Sequence, residues 1–143
     1  MTIVVDASVA FKWFASDEQH AGEAAELLRH ETSLLAPDIL VAEVCNTAWR
    51  CVRNRRIAPE HAERIATVLP GLFENLIASA RLVSRAVAIA HELDHPVYDC
   101  LYLSLAELRQ TTLVTADARF LAKLNGTSWD KIGRSLTAYR RGG

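Results

Sequence analysis

The sequence holds too few cysteines for a disulfide framework and spaces them wrongly for a metal site. Cys45, Cys51 and Cys100 form an odd set in apolar, helix-like surroundings with no C-x-x-C spacing, which is the usage of buried thiols in a reducing compartment. No histidine falls at zinc spacing either. No apolar run approaches the ~18 residues of a membrane span, so no membrane association is expected. Strand-forming residues begin by Ile3 and leave no room for a charged segment, an apolar signal core and a cleavage site, so a cytoplasmic location is expected. An excess of one charge is also missing. Sixteen Lys and Arg nearly cancel seventeen Asp and Glu, so the field of the whole chain does not announce a nucleic-acid binder, and any polyanion must be held locally. Repeats and low-complexity segments are absent. What is present is ordinary globular composition, 50% hydrophobic and 23% charged over 143 residues. That is enough for a single domain, 1–143, to bury a core without staples.

The informative stretch comes first. Ile3-Val4-Val5 is a run of β-favouring apolar residues, as expected of a strand buried on both faces of a parallel sheet, and Asp6-Ala7-Ser8 follows at once. In open α/β folds the functional crevice lies beyond the carboxyl ends of the strands, where Asp6 is delivered. Asp6 equally suits the N-cap of a helix starting near Ser8. Residues 7–14 read as a short apolar helical turn whose Trp13 and Phe14 are core or oligomer contacts. A helix is expected over 16–30, with Asp17 and Glu18 in its first turn and Ala21, Ala24, Ala25 and Leu28 inward; His20 and His30 read as surface residues. Residues 33–36 suit a second strand, and Pro37-Asp38 a helix start.

The following helix, 38–55, carries Glu43 on a polar seam with Ile39, Asn46, Thr47 and Arg50. Glu43 is either an exposed acid paired with Thr47 or Arg50, or a member of a site. Arg50, Arg53, Arg55 and Arg56 crowd the end of this helix. They either complement its C-terminus on a solvated face or meet phosphate or a partner. Pro59 opens another helix with Ile65, Val68 and Leu69 inward and His61 at the surface, ended by Pro70-Gly71. Residues 80–84, Ala-Arg-Leu-Val-Ser, suit a third strand, and 85–93 a helix with Val87, Ile89 and Ala90 inward. Pro96 then stands at the start of a helix over 97–106 that is apolar nearly all round, hence buried nearly all round.

Asp99 lies within that buried helix, on a face with Tyr102, Leu103 and Ala106. A carboxylate without a partner there costs several kcal/mol, and the helix dipole returns only about 0.3–1 kcal/mol. A cation at the helix start accounts for it economically; a bond to backbone or to a tyrosine hydroxyl is the alternative. Residues 112–115 read as a fourth strand, and Asp117 lies just past its end, repeating the placement of Asp6 and also fitting the N-cap of a helix over 118–124. Ser128-Trp129 suits a short edge strand, and residues 138–143 are expected to fray.

Strands near 3, 34, 81 and 112 alternate with helices, which predicts an α/β domain: one parallel sheet of four or five strands with helices on both faces. The helix at 97 follows another helix and must start near the carboxyl edge, so Asp99 joins Asp6 and Asp117 there. Unit negative charges within ~6 Å repel by ~3 kcal/mol per pair at an effective dielectric of ~20. Such a cluster needs protons or metal, and all-oxygen ligation points to magnesium or manganese.

Ile3-Val4-Val5-Asp6-Ala7-Ser8, Glu43 with Asn46, Pro96-Val97-Tyr98-Asp99-Cys100-Leu101-Tyr102 and Leu113-Val114-Thr115-Ala116-Asp117 together resemble the PIN domain family and, more narrowly, the VapC toxins of bacterial and archaeal toxin-antitoxin pairs. The likeness covers residues 2 to about 124. It implies a PIN-like fold and a Mg2+- or Mn2+-dependent endoribonuclease acting on RNA, commonly a homodimer, held inactive by a VapB-type antitoxin that occludes the acidic pocket. The family's acidic quartet matches Asp6, Glu43, Asp99 and Asp117, its hydroxyl positions match Ser8 and Thr115, and its amide beside the glutamate matches Asn46. On this reading Asp6 and Asp99 are the principal metal ligands, with Glu43 and Asp117 holding a second ion or its waters. Arg50, Arg53, Arg55 and Arg56 become candidates for RNA or antitoxin contact.

Two other enzyme classes put an acid near a strand end. A haloacid-dehalogenase-like phosphotransferase expects a second Asp two residues after the first, where Ser8 stands, and a receiver domain places its acceptor after the third strand, where Ser84-Arg85 stands. The non-enzymatic alternative is an RNA- or protein-binding module whose acids hold a structural ion.

Overall fold

The computed structural model describes residues 1–30 and 33–139. The expectation for residues 140–143 lies outside the described residues. Five parallel strands form one sheet: β1 (Thr2–Val5), β2 (Ser33–Pro37), β3 (Asn75–Ile77), β4 (Leu113–Thr115) and β5 (Gly133–Ser135), in the spatial order β3-β2-β1-β4-β5. β1 is central, with Ile3 opposite Leu34 of β2 and Val5 opposite Val114 of β4. Ile3, Val4 and Val5 are almost wholly buried, because a central parallel strand is covered on both faces.

Between the strands run α1 (Ala7–Ala10), α2 (Ala21–Arg29), α3 (Ile39–Arg53), α4 (Pro59–Val68), α5 (Val83–Leu93), α6 (Val97–Arg109) and α7 (Ala118–Leu124). The chain steps outward from β1 to β3, then returns across the sheet to β4 and β5. Right-handed crossovers in those opposite directions send α1 to α4 to one face and α5 to α7 to the other. α6 packs across β1 and β2, and its residues from Cys100 to Ala106 are all buried, as its apolar circumference requires. α3 buries Leu40, Val44, Ala48 and Cys51, the four-residue stripe that leaves Glu43 and Asn46 on the opposite side. Gly133 lets α7 close on β5: a Cβ there would come within 2.6 Å of Leu124 Cδ1.

Several elements depart from the sequence reading. Residues 80–84 are not a strand. The third strand is Asn75–Ile77, followed by a 3₁₀ turn, Ser79–Arg81. Leu82 and Val83 belong to the start of α5, whose buried residues Ala86, Ile89 and Leu93 continue inward from Leu82 at helical spacing, while Val87 faces out. A strand of three residues carries too little periodicity to outweigh a β-favouring Leu-Val pair six residues on. α2 begins at Ala21, not at 16, because His20 takes a left-handed conformation (φ 63°) that ends the preceding turn. Its buried residues are Ala24 and Leu27, with Leu28 exposed. Val68 is exposed while Ile65 and Leu69 pack inward, and His61 is half-buried against the Phe14 carbonyl at 3.0 Å. Ser128 and Trp129 lie in a turn. Trp129 is buried there with its indole N–H on Glu107 Oε2 (2.9 Å), and the edge strand is Gly133–Ser135.

Candidate active site

β1 and β4 are neighbours at the point where the strand order reverses, the place at which open α/β sheets form a crevice. Asp6 follows β1, and Asp117 lies two residues past β4. A cavity of about 490 Å³ opens there, lined by Asp6, Ser8, Glu43, Asn46, Asp99 and Asp117, with Lys12, Glu18, Thr47, Arg50 and Tyr102 also on its wall. Besides Glu18, four acids from four different parts of the fold therefore meet in one cleft.

Each acid is held by a different local device. Asp6 is 6% exposed. Its Oδ1 accepts from Ser8 Oγ (2.6 Å) and from the Val9 N–H (3.3 Å), capping α1, and its Oδ2 accepts from Thr115 Oγ1. Ser8 Oγ also accepts the Ala116 N–H (3.0 Å) and Thr115 Oγ1 the Asp117 N–H (3.0 Å). The loop after β4 is thus laced to the loop after β1 through the two hydroxyls that support Asp6. Asp117 Oδ1 accepts the N–H groups of Arg119 (3.0 Å) and Phe120 (3.2 Å) and caps α7. For Asp6 and Asp117, capping and lining the cleft are one arrangement. Glu43, from α3, accepts on Oε1 from Tyr102 Oη at 2.5 Å. Asp99, in the first turn of α6, has Oδ2 2.6 Å from His95 Nε2.

Burial pushes Asp6 up to about 6, opposed by the Ser8, Thr115 and Val9 donors and reinforced by the charge of Asp99. Burial likewise raises Glu43, against the Tyr102 hydrogen bond and with the charge of Asp99 again adding. Burial and the neighbouring Glu43 carboxylate hold the Tyr102 hydroxyl well above its ordinary range, so it stays a donor. Asp99 is felt electrostatically at both Asp6 and Glu43.

Among the described residues, no three His, Cys, Asp or Glu side chains are already gathered around one point at ligating distance. The donor set nonetheless suits a hard cation. Among the described residues no protein donor reaches the second oxygen of Glu43, Asp99 or Asp117, and carboxylate oxygens are the ligands that magnesium and manganese prefer.

The remaining expected residues separate. Arg50 reaches the cleft wall. Arg53 lies over the Trp49 ring, 5.6 Å from its centroid; Arg56 pairs with Asp17 at 3.7 Å; Arg55 is exposed past the end of α3 with φ 59°. These three do not line the cavity. Sequence reasoning missed His95, Lys12 and Glu18. His95 stands four residues before Asp99, a spacing that does bring side chains together at a helix start, so a signal existed for it. It also offered Asp99 a tyrosine hydroxyl, but that hydroxyl goes to Glu43.

Comparison with known proteins agrees with this geometry. Ribonuclease VapC1 of Mycobacterium tuberculosis is 32% identical over 120 residues, 83% of this chain and 88% of its own length. Ribonuclease VapC3 of Pyrobaculum aerophilum is 27% identical over 125 residues, 86% of this chain and 95% of its own. Among solved structures, a toxin-antitoxin complex from Klebsiella pneumoniae shares the fold with a TM-score of 0.66 at 19% identity, over 96% of this chain and 99% of that one. The PIN domain model matches residues 3–124, the span from β1 to the end of α7 that carries all four acids, and the chain belongs to the PIN domain family.

Proposed function

We propose that this protein is a metal-dependent endoribonuclease, the toxin of a toxin-antitoxin pair, hydrolysing RNA phosphodiesters at the acidic cleft. The observation that carries the reading is the convergence of Asp6, Glu43, Asp99 and Asp117 on one cavity at the switch point of the sheet. The ribonuclease relatives named above support the choice of RNA.

Asp6 and Asp99 would be the principal holders of Mg2+ or Mn2+, with Glu43 and Asp117 taking a second ion or its waters. Such an ion supplies Lewis acidity at the phosphoryl oxygen, a more acidic attacking water and charge stabilisation of the leaving oxygen. The chain's own groups prepare the cleft. Ser8 and Thr115 fix the Asp6 carboxylate from both sides, Tyr102 fixes Glu43, and the α7 cap fixes Asp117. A buried carboxylate with a pKa of about 6 is mostly ionised at neutral pH yet poorly solvated, a condition that a cation relieves. Lys12 and Arg50 on the wall offer positive charge to the flanking phosphates, where the net charge of the chain offers none.

A VapB-type antitoxin is the partner that this reading calls for, and the toxin-antitoxin complex of the same fold supports it. A homodimer is the expected assembly; exposed Val83, Val87 and Tyr98 on α5 and α6 are apolar surface that a second copy would cover.

The test is cleavage of a cellular RNA pool by antitoxin-free protein with Mg2+ or Mn2+ against EDTA, with Asp99→Asn alongside. Cutting that needs metal and is lost in the variant is the expected result. Folded protein that cuts nothing under either metal would move the assignment to a non-catalytic binding module.

A further inference from the structure

The loop between α5 and α6 is built as carefully as the cleft it adjoins. α5 stops at Asp94, whose left-handed conformation (φ 51°) reverses the chain, and the His95 N–H returns to the Ala90 carbonyl at 3.1 Å. Lys123 Nζ of α7 donates to the Asp94 carbonyl at 3.0 Å, and Pro96 opens α6. The backbone of His95 is therefore fixed from three sides. Its ring is mostly buried, with the side chain 13% exposed, and lies stacked on Phe120 at 4.8 Å between centroids and 29° between planes. Nε2 points at Asp99 Oδ2, 2.6 Å away. Phe120 donates its backbone N–H to Asp117 Oδ1. One imidazole thus joins the acid of α6 to the helix that the acid after β4 caps.

We propose that His95 is a positioning residue of the acidic cleft: by donating from Nε2 to Asp99 while stacked on Phe120, it sets the rotamer of Asp99 and presents the other carboxylate oxygen to the metal. The proposal rests on the metal-dependent reading above. Carboxylates and imidazoles that ligate metals are commonly oriented by such outer partners, and loss of the partner typically costs about 10- to 100-fold in metal affinity or activity. His95 is the one among these that arises from outside the family motif residues. The stack restrains the ring, and the hydrogen bond restrains the carboxylate. A carboxylate oxygen can only accept, so the contact with Asp99 places the ring proton on Nε2.

Two variants separate the restraints. His95→Phe keeps an aromatic ring on Phe120 and removes the donor; His95→Gln keeps a side-chain N–H near the Nε2 position and removes the ring. Mn2+ binding to antitoxin-free protein is measured by calorimetry, with kcat and KM for RNA cleavage alongside and the urea midpoint in EDTA as a control. The expected result is a roughly 10- to 100-fold loss of Mn2+ affinity in His95→Phe, a fall in kcat at saturating RNA with KM for RNA unchanged, a small change in midpoint, and recovery of most of the affinity in His95→Gln. Should His95→Phe fail to fold, His95→Met removes the donor in its place. Donor-less variants that bind Mn2+ as tightly as the parent overturn the positioning role and leave the nuclease reading intact, as does a His95→Gln variant as weak as His95→Phe. A parent that binds no Mn2+ overturns the nuclease reading and this proposal with it.

Discussion

Asp6 shows how a single residue can be both costly to the fold and useful to the cleft. Its pKa stands at about 6 against an ordinary 3.8, chiefly through burial. Between those values the folded chain holds a proton that the unfolded chain has lost. The stability tied to that proton is full below about pH 4 and is lost as pH rises through about 6, by about 3 kcal/mol over the whole range. Burial acts on Glu43 in the same direction, whereas Asp38, held low by Ser79, and Glu107, held low by Arg85, act in the opposite one. The difference between parent and Asp6→Asn isolates the Asp6 contribution. In EDTA, urea unfolding from pH 4 to pH 7 should show the variant gaining on the parent as pH rises, the difference between them changing by up to about 3 kcal/mol across that range. A difference that does not vary with pH would mean that Asp6 titrates normally in the folded chain.

Other residues could be weighed from the sequence only up to a point. Asp99 was marked by its apolar helix, since a buried acid there demands compensation; in the structure its side chain is 33% exposed. Its hydrogen-bond partner is His95, four positions back, whose placement depends on the chain reversal at Asp94 and on a ring twenty-five positions onward in α7. Tyr102 was legible as a member of the same buried helix, but its hydroxyl bonds Glu43 across 59 residues. Helical periodicity reports which residues share a face. It does not report what another element brings to that face.

At the scale of the element, α7 joins folding to function through its cap. Asp117 accepts the Arg119 and Phe120 N–H groups with one oxygen, so substitution disturbs the helix as well as the cleft. Asp117→Ala should lose about 1 kcal/mol of stability, within the 0.5–2 kcal/mol of a lost N-cap. Asp117→Asn keeps an acceptor and should stay within a few tenths of a kcal/mol of the parent. Both should cleave RNA far more slowly, because both remove the charge. Denaturation midpoints and cleavage rates measured side by side divide the two roles, and an Asp117→Asn variant cleaving at the parental rate would leave Asp117 as a cap alone. Elements with strong local signals are the ones that sequence placed well: β1 with its apolar run, α6 with its proline start, α7 with its cap. β3 and β5 have three residues each. They are strands because neighbouring strands supply their hydrogen bonds, whereas β4, equally short, is marked by its own apolar Leu113-Val114.

For the whole molecule, the proposed cation site would make stability and metal binding one equilibrium. A cation bound by the folded chain alone stabilises it by RT ln(1 + [L]/Kd), about 2.7 kcal/mol at one hundred times Kd, which for a chain of this size is a rise of roughly 5–10 °C in Tm. Thermal unfolding should therefore shift upward with Mn2+, return with EDTA, shift less at pH 5 than at pH 7 because Asp6 is then largely protonated, and shift little in Asp99→Asn. Equal shifts in parent and Asp99→Asn would place the ion elsewhere on the chain.

By itself the sequence determined the class of fold, the buried central strand, the helix boundaries marked by Pro59, Pro96 and Asp117, and the placement of Asp6 and Asp117 just past strand ends. These follow from properties that act between near neighbours along the chain: steric preference, capping, and the period with which apolar residues recur. Only the tertiary structure decided that Asp6 is supported by Thr115, that Glu43 answers to Tyr102, that His95 holds Asp99, and that of the four arginines Arg50 alone reaches the cleft. Those pairings arise where the sheet reverses its strand order and brings distant loops to one edge. Once the loops meet there, burial strengthens every charge and hydrogen bond between groups that were strangers in the sequence.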